Sequence, residues 1–163
     1  MTFQLRRGSE SLPIAYAELA SELGARIGDR VNTQEVRQAV LKLRSKKGML
    51  EGEVASAGSF FTNPVLTQDE ASKLPIDAPR WPQEDGRIKT SAAWLIERSG
   101  IEKGKTLGGA AISSLHVLAL SNAGAASAKD IVELANFVRE RVRENFGITL
   151  EAEVQLVGLE LNS

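Results

Sequence analysis

The sequence predicts an α+β fold with a small, mostly antiparallel sheet, and three observations support this. Apolar residues recur at helical spacing in 33–44 and again in 127–142. Strand-like alternation of apolar and polar residues appears in 2–7 and 148–161. Helices and strands also follow one another without a regular βαβ rhythm and without an internal repeat.

Thr2 to Arg7 alternates ahead of Gly8-Ser9-Glu10-Ser11, the pattern of a strand entering a turn. A strand with no lead-in looks cut into. Ile14 to Leu23 places Tyr16, Leu19, Ala20 and Leu23 on one helical face, with Gly24 as the stop. Thr33 is expected to cap a helix through Arg44, in which Val36, Ala39, Val40 and Leu43 form the buried stripe. Its end, Arg44-Ser45-Lys46-Lys47-Gly48, concentrates cations at the negative end of the helix dipole. Thr67-Gln68-Asp69-Glu70 has capping-box spacing and starts a short helix before Pro75. From Pro75 to Gly86, with Pro79, Pro82 and Asp85-Gly86, an irregular loop is expected, with Trp81 at its middle.

Ser91 to Ser99 sets Ala92, Leu95 and Ile96 on one helical face, closed by Gly100. Leu107 to Ala111 reads as a glycine-containing turn and Val117 to Asn122 as a buried strand. Ser127, with Asp130 at the third helical position, caps the longest helix, whose stripe is Ile131, Leu134, Ala135, Val138 and Val142 and whose stop is Gly147. The tail from Ile148 to Leu161 alternates as a long strand, with Leu150, Ala152, Val154 and Leu156 on one face and Glu151, Glu153 and Gln155 on the other.

Composition narrows the chemistry. A chain of 163 residues with 42% apolar and 25% charged side chains has the length of one ordinary domain. With 20 Lys plus Arg against 21 Asp plus Glu, its formal charge of -1 argues against general attraction to nucleic acid or anionic lipid. Cysteine is absent, which excludes disulfides, thiolate metal sites and cysteine nucleophiles, and fits a reducing compartment. His116 is the lone histidine, so no histidine-based metal site is expected. No segment has the apolar length of a membrane span or the form of a cleavable leader, and a cytoplasmic protein is expected.

Generic catalytic signatures are missing. Gly108-Gly109 lacks the spaced third glycine of a dinucleotide fingerprint, and neither a phosphate loop nor a Gly-x-Ser-x-Gly elbow is present. The segment that stands out is Ala57-Gly58-Ser59-Phe60-Phe61-Thr62-Asn63-Pro64. Gly58 permits close backbone approach, two phenylalanines can exclude water around the Ser59 hydroxyl, and Pro64 restricts Asn63 to extended geometry. The residues alone leave two readings open, a turn into a core strand or an active site.

That segment, followed in order by Ala92-Ala93-Trp94-Leu95-Ile96-Glu97, Gly109-Ala110-Ala111-Ile112-Ser113 and Leu150-Glu151-Ala152-Glu153-Val154, resembles the UDP-N-acetylenolpyruvoylglucosamine reductase (MurB) family. The resemblance runs along residues 1–163 but matches only the C-terminal, substrate-binding part of the family. It implies an N-terminal FAD-binding domain outside this chain, supplied either by a longer polypeptide or by a second subunit of a split enzyme. The reaction implied uses NADPH and FAD to reduce UDP-GlcNAc-enolpyruvate to UDP-N-acetylmuramate for peptidoglycan. No flavin is expected on this chain alone, which is expected to be inactive.

The resemblance also implies roles for individual residues. Ser59 occupies the proton-donor position and Glu153 that of a second carboxylate assisting protonation. Lys47 would neutralise the UDP diphosphate, Asn63 hold nucleotide or sugar, Trp81 cover the substrate by stacking, and His116 touch phosphate. Each has an ordinary alternative: an exposed strand carboxylate for Glu153, a solvated helix end for Lys47, a turn residue for Asn63 and a structural histidine for His116. Leu115 stands where many relatives have lysine, removing one phosphate contact. Two non-catalytic readings accompany this one: a UDP-sugar-binding module, and a folded fragment with no ligand affinity of its own.

Overall fold

The computed structural model describes residues 2, 4, 7–50 and 55–162. Where length favours one domain, the chain divides into two compact units, Met1–Val54 and Ala55–Ser163. The strand expected at 2–7 lies largely outside the described residues.

In the first unit, α1 (Ala17–Leu23) ends at Gly24, whose φ of +64° is the left-handed conformation that glycine adopts without strain. Helix α2 (Thr33–Lys46) is capped by Asn32, one residue before the cap expected from sequence, because the Asn32 Oδ1 accepts the Gln34 N–H at 2.9 Å. Of the expected stripe on α2 only Ala39 is buried, and on the α1 face Tyr16 is 76% exposed. Ion pairs also join the helices: the Glu22 carboxylate accepts Lys42 at 2.5 Å and Lys46 at 2.7 Å. Those lysines, Lys42 first, hold the Glu22 carboxyl below its ordinary value.

The second unit is α+β, as predicted. One sheet has four antiparallel strands in the order β1 (Ser56–Ser59), β7 (Ala119–Asn122), β6 (Ala110–Ile112), β5 (Thr106–Leu107). The other has three, in the order β2 (Val65–Leu66), β4 (Ile88–Lys89), β3 (Trp81–Pro82). Trp81 is thus in a short edge strand rather than a loop. Pro82 fits there because an edge strand need not donate on its outer side, and Asp85-Gly86 forms the turn into β4.

Helix α3 (Gln68–Ser72) carries the expected capping box between Thr67 and Glu70. Ser91 caps α4 (Ala92–Arg98) by accepting from the Trp94 N–H, and Ala92, Leu95 and Ile96 are fully buried. Helix α5 (Ala128–Phe146) buries Leu134, Ala135, Val138 and Val142 on the side facing the larger sheet and stops at Gly147. The turn before it is tight: a Cβ on Gly109 would come within 2.6 Å of the Ala126 backbone, so the β5–β6 hairpin requires glycine there.

The long strand expected at 148–161 is not formed. Its alternation is real, with Ile148 and Leu150 buried and Thr149, Glu151 and Glu153 exposed, but its one β-bridge is the isolated pair Ala152–Phe61, outside the named strands. Periodicity reports which face is buried and does not supply a partner for the ladder. Backbone groups here are satisfied partly by side chains of α5, namely Arg139 and Asn136.

Asp130 joins the start of α5 to its surroundings. Its carboxylate accepts the Ser127 hydroxyl and N–H, and these bonds, with a further one from the Gly109 N–H, hold it below the ordinary aspartate range. A depressed carboxylate contributes stability above its unfolded value of about 4 and loses it as pH falls through the folded value. Ser127→Ala is therefore expected to lower stability near neutral pH. The gap from wild type should narrow in acid, as read from urea midpoints at about pH 7 and about pH 3; a constant gap would show that Ser127 does not tune Asp130.

Candidate active site

Ser59 closes β1 on an irregular register. Ser56 pairs with Ser121 and Ser59 with Ala119, so β1 carries one more residue than β7 between the same two pairs. The extra residue is accommodated at Gly58, whose φ is +70° and whose N–H donates to the Ser56 Oγ at 3.2 Å. Such a bulge re-aims the side chain that follows it. Ser59 is left half-buried at the rim of the sheet.

The two phenylalanines after it enter the core. Phe60 and Phe61 are each 1% exposed and meet edge to face with centroids 5.0 Å apart. Their rings anchor the Ser59 peptide from below. The Phe60 N–H donates to the Leu118 carbonyl at 2.8 Å, and the Phe60 carbonyl accepts the Glu153 N–H at 2.8 Å. The Thr62 N–H donates to the Glu151 carbonyl at 2.9 Å. Through these bonds the fold brings the segment carrying Glu153 alongside the residue next to Ser59, joining two positions far apart in sequence.

Asn63 is already occupied on one side: its Oδ1 accepts the Ala92 N–H at 2.9 Å at the start of α4. His116 sits half-buried in the turn before β7, where its carbonyl accepts the Ala119 N–H. Lys47 belongs to the first unit, ends α2, and pairs with Glu18 at 2.7 Å on the surface. Exposed pairs of this kind are weak, so Lys47 can exchange partners readily.

Trp81 lies in a row that sequence reading missed. Directly opposed antiparallel residues share a face, and Val65, Lys89 and Trp81 are in register across the smaller sheet. The opposite row turns Leu66 and Ile88 into the core, leaving Val65 38% and Trp81 47% exposed. Lys89 thereby becomes the cation between two exposed apolar groups. The Asp85-Gly86 turn between two short β-prone stretches was the signal for this hairpin.

Grooves of about 420, 360 and 470 Å³ lie along α5, beside β1, and at 82–85, and none is lined by Ser59 or Glu153. Neither a group of three metal-ligating side chains nor a helix apolar enough to cross a membrane occurs among the described residues.

Residues 50–157 match the family described as UDP-N-acetylenolpyruvoylglucosamine reductase, C-terminal domain. This chain belongs to that family. The reductase of that name from Thermobifida fusca is 46% identical over 99% of this chain and 49% of its own length. The one from Mycobacterium tuberculosis is 45% identical over 98% of this chain and 47% of its own. The chain thus spans about half the length of these relatives. A crystal structure of the MurB reductase from Thermus caldophilus aligns over 79% of this chain and 38% of its own, at 26% identity and a TM-score of 0.42. The matched span covers most of the second unit, with both Ser59 and Glu153.

Asn63 offers a direct test of structural against ligand-binding use. Asn63→Ala leaves the partly buried Ala92 N–H without its acceptor and is expected to cost about 1–3 kcal/mol in urea unfolding. Asn63→Asp, which keeps an acceptor at a helix N-terminus, should retain most of the stability. Equal stability of all three proteins would show that the Ala92 bond contributes nothing.

Proposed function

We propose that this chain is the substrate-binding portion of an NADPH- and FAD-dependent reductase that converts UDP-GlcNAc-enolpyruvate to UDP-N-acetylmuramate for peptidoglycan in the cytoplasm. The observation that carries this reading is the bond from the Glu153 N–H to the Phe60 carbonyl at 2.8 Å, which brings the segment that carries Glu153 beside the backbone of the residue after Ser59.

Reduction of an enolpyruvyl group leaves carbanion or enol character beside its carboxylate, and the neighbouring carbon then needs a proton. Ser59 supplies it: its O–H bond breaks as a C–H bond forms, and solvent reprotonates the oxygen. A hydroxyl is a poor acid, so placement must contribute much of the rate. The bulge at Gly58 and the buried rings of Phe60 and Phe61 support a fixed placement. Glu153 assists that protonation or stabilises the enol form. Trp81 and Lys89 form a stacking face with a cation beside it, suited to a uridine diphosphate, with Lys47, Asn63 and His116 as further contacts.

The FAD-binding domain is assigned to another part of the full-length enzyme, in the same polypeptide or a partner one; that the chain spans about half the length of its relatives supports this.

The isolated chain is expected to be colourless and unable to oxidise NADPH. Joined to a family flavin domain, it should show substrate-dependent NADPH oxidation that Ser59→Ala lowers by about a thousandfold in kcat. Flavin copurifying with the isolated chain would overturn the division of labour, and an unchanged kcat in Ser59→Ala would overturn the proton-donor role. Calorimetric titration of the isolated chain with UDP-N-acetylglucosamine separates a competent half-site from a fragment with no affinity of its own.

A further inference from the structure

Glu153 presents a mechanical problem. Its segment, 148–162, is not part of a regular strand, its side chain is exposed, and Ala152 alone in it forms a β-bridge, an isolated one to Phe61. A carboxylate that must meet a substrate with sub-ångström accuracy needs a stiffer mount than one bridge provides. The mount is on α5. The Arg139 Nε donates to the Leu150 carbonyl at 2.9 Å, and its Nη1 donates to the Asn162 carbonyl. One helical turn earlier, the Asn136 Oδ1 accepts the Asn162 N–H at 2.9 Å. One guanidinium thus ties down both ends of the stretch that carries Glu153, and Leu150, fully buried, fixes the near end in the core.

We infer that Arg139 is a positioning residue for Glu153, holding residues 150–162 against α5 so that the Glu153 N–H stays bonded to the Phe60 carbonyl. The planar, forked guanidinium suits this task because it reaches two carbonyls at once, which a lysine ammonium on a single stem does not reproduce. Arg139 lines an open groove, so truncating it leaves no enclosed void. The other arginines of this helix end are engaged differently: Arg143 pairs with Glu140 at 2.7 Å and Arg141 with Glu144 at 3.2 Å.

The inference rests on the assignment of Glu153 to protonation, and the experiment separates the two. In the isolated chain, amide hydrogen exchange at Glu153 should rise about tenfold or more in Arg139→Ala, while amides of Val138 and Val142 inside α5 keep their protection. Arg143→Ala should leave Glu153 unchanged. Arg139→Lys, the milder variant, should fall between wild type and Arg139→Ala. Unaltered exchange at Glu153 in both Arg139 variants overturns the inference.

In the reductase assembled with a flavin domain, Arg139→Ala should lower kcat by about tenfold with KM nearly unchanged, and Arg139→Lys should recover part of the loss. A loss confined to KM, or none at all, in an enzyme whose Glu153→Gln variant is impaired overturns the positioning role alone. A Glu153→Gln enzyme with full kcat overturns the catalytic assignment of Glu153, and the positioning inference with it.

Discussion

The second unit depends on the burial of Phe60 and Phe61. Their rings pack edge to face in the core, and the peptide of Phe60 is bonded on one side to the residue before β7 and on the other to Glu153. Side-chain burial and backbone pairing therefore converge on one residue. Two fully buried phenylalanines are worth several kcal/mol of transfer free energy. Displacing them would uncouple β1 and the C-terminal segment from the sheet together. The small second sheet, α3 and α4 are tied to the same point more loosely, by the Asn63 bond to Ala92 and by the Thr90 N–H donating to the Pro64 carbonyl.

Helix ends were the most legible part of the fold. The boxes at Thr67–Glu70 and Ser127–Asp130, and the Ser91 cap, are local chemistry: a side-chain oxygen satisfies an amide two or three residues away, and no distant partner is required. Strands were less legible because their partners are distant. The two-residue strand at Trp81 exists only because Lys89 returns beside it. The tail at 148–161 has a strand's alternation and lacks a strand's neighbour. At α2 a choice between adjacent cap formers, Asn32 and Thr33, was decided by which side chain reaches the Gln34 amide.

Residue chemistry alone could not separate an active-site Ser59 from a turn serine, because a hydroxyl announces no reactivity by itself. Family resemblance singled out Ser59 and Glu153, and the fold gives that pairing a physical path through Phe60. Asn63 shows the converse: its Oδ1 accepts the Ala92 N–H at the start of α4, a structural bond that spacing along the chain does not record. Lys89 and Arg139 escaped notice for one reason. Their settings come from what lies across from them, a tryptophan in one case and two carbonyls in the other, and spacing along the chain records neither.

On the proposed mechanism, the exposure of the site carries its own argument. Ser59 is half-buried and Glu153 is exposed, yet a serine hydroxyl can compete as a proton donor only where bulk water, a far more abundant acid of similar strength, is held away from the carbanion. In the proposed reaction, substrate and the protein surface that carries the hydride donor would contribute to excluding that water. One surface can both deliver the hydride and close the site. A half-buried Ser59 beside the segment that carries Glu153 accords with the proposal that the two halves of the reductase each carry one of the two transfers.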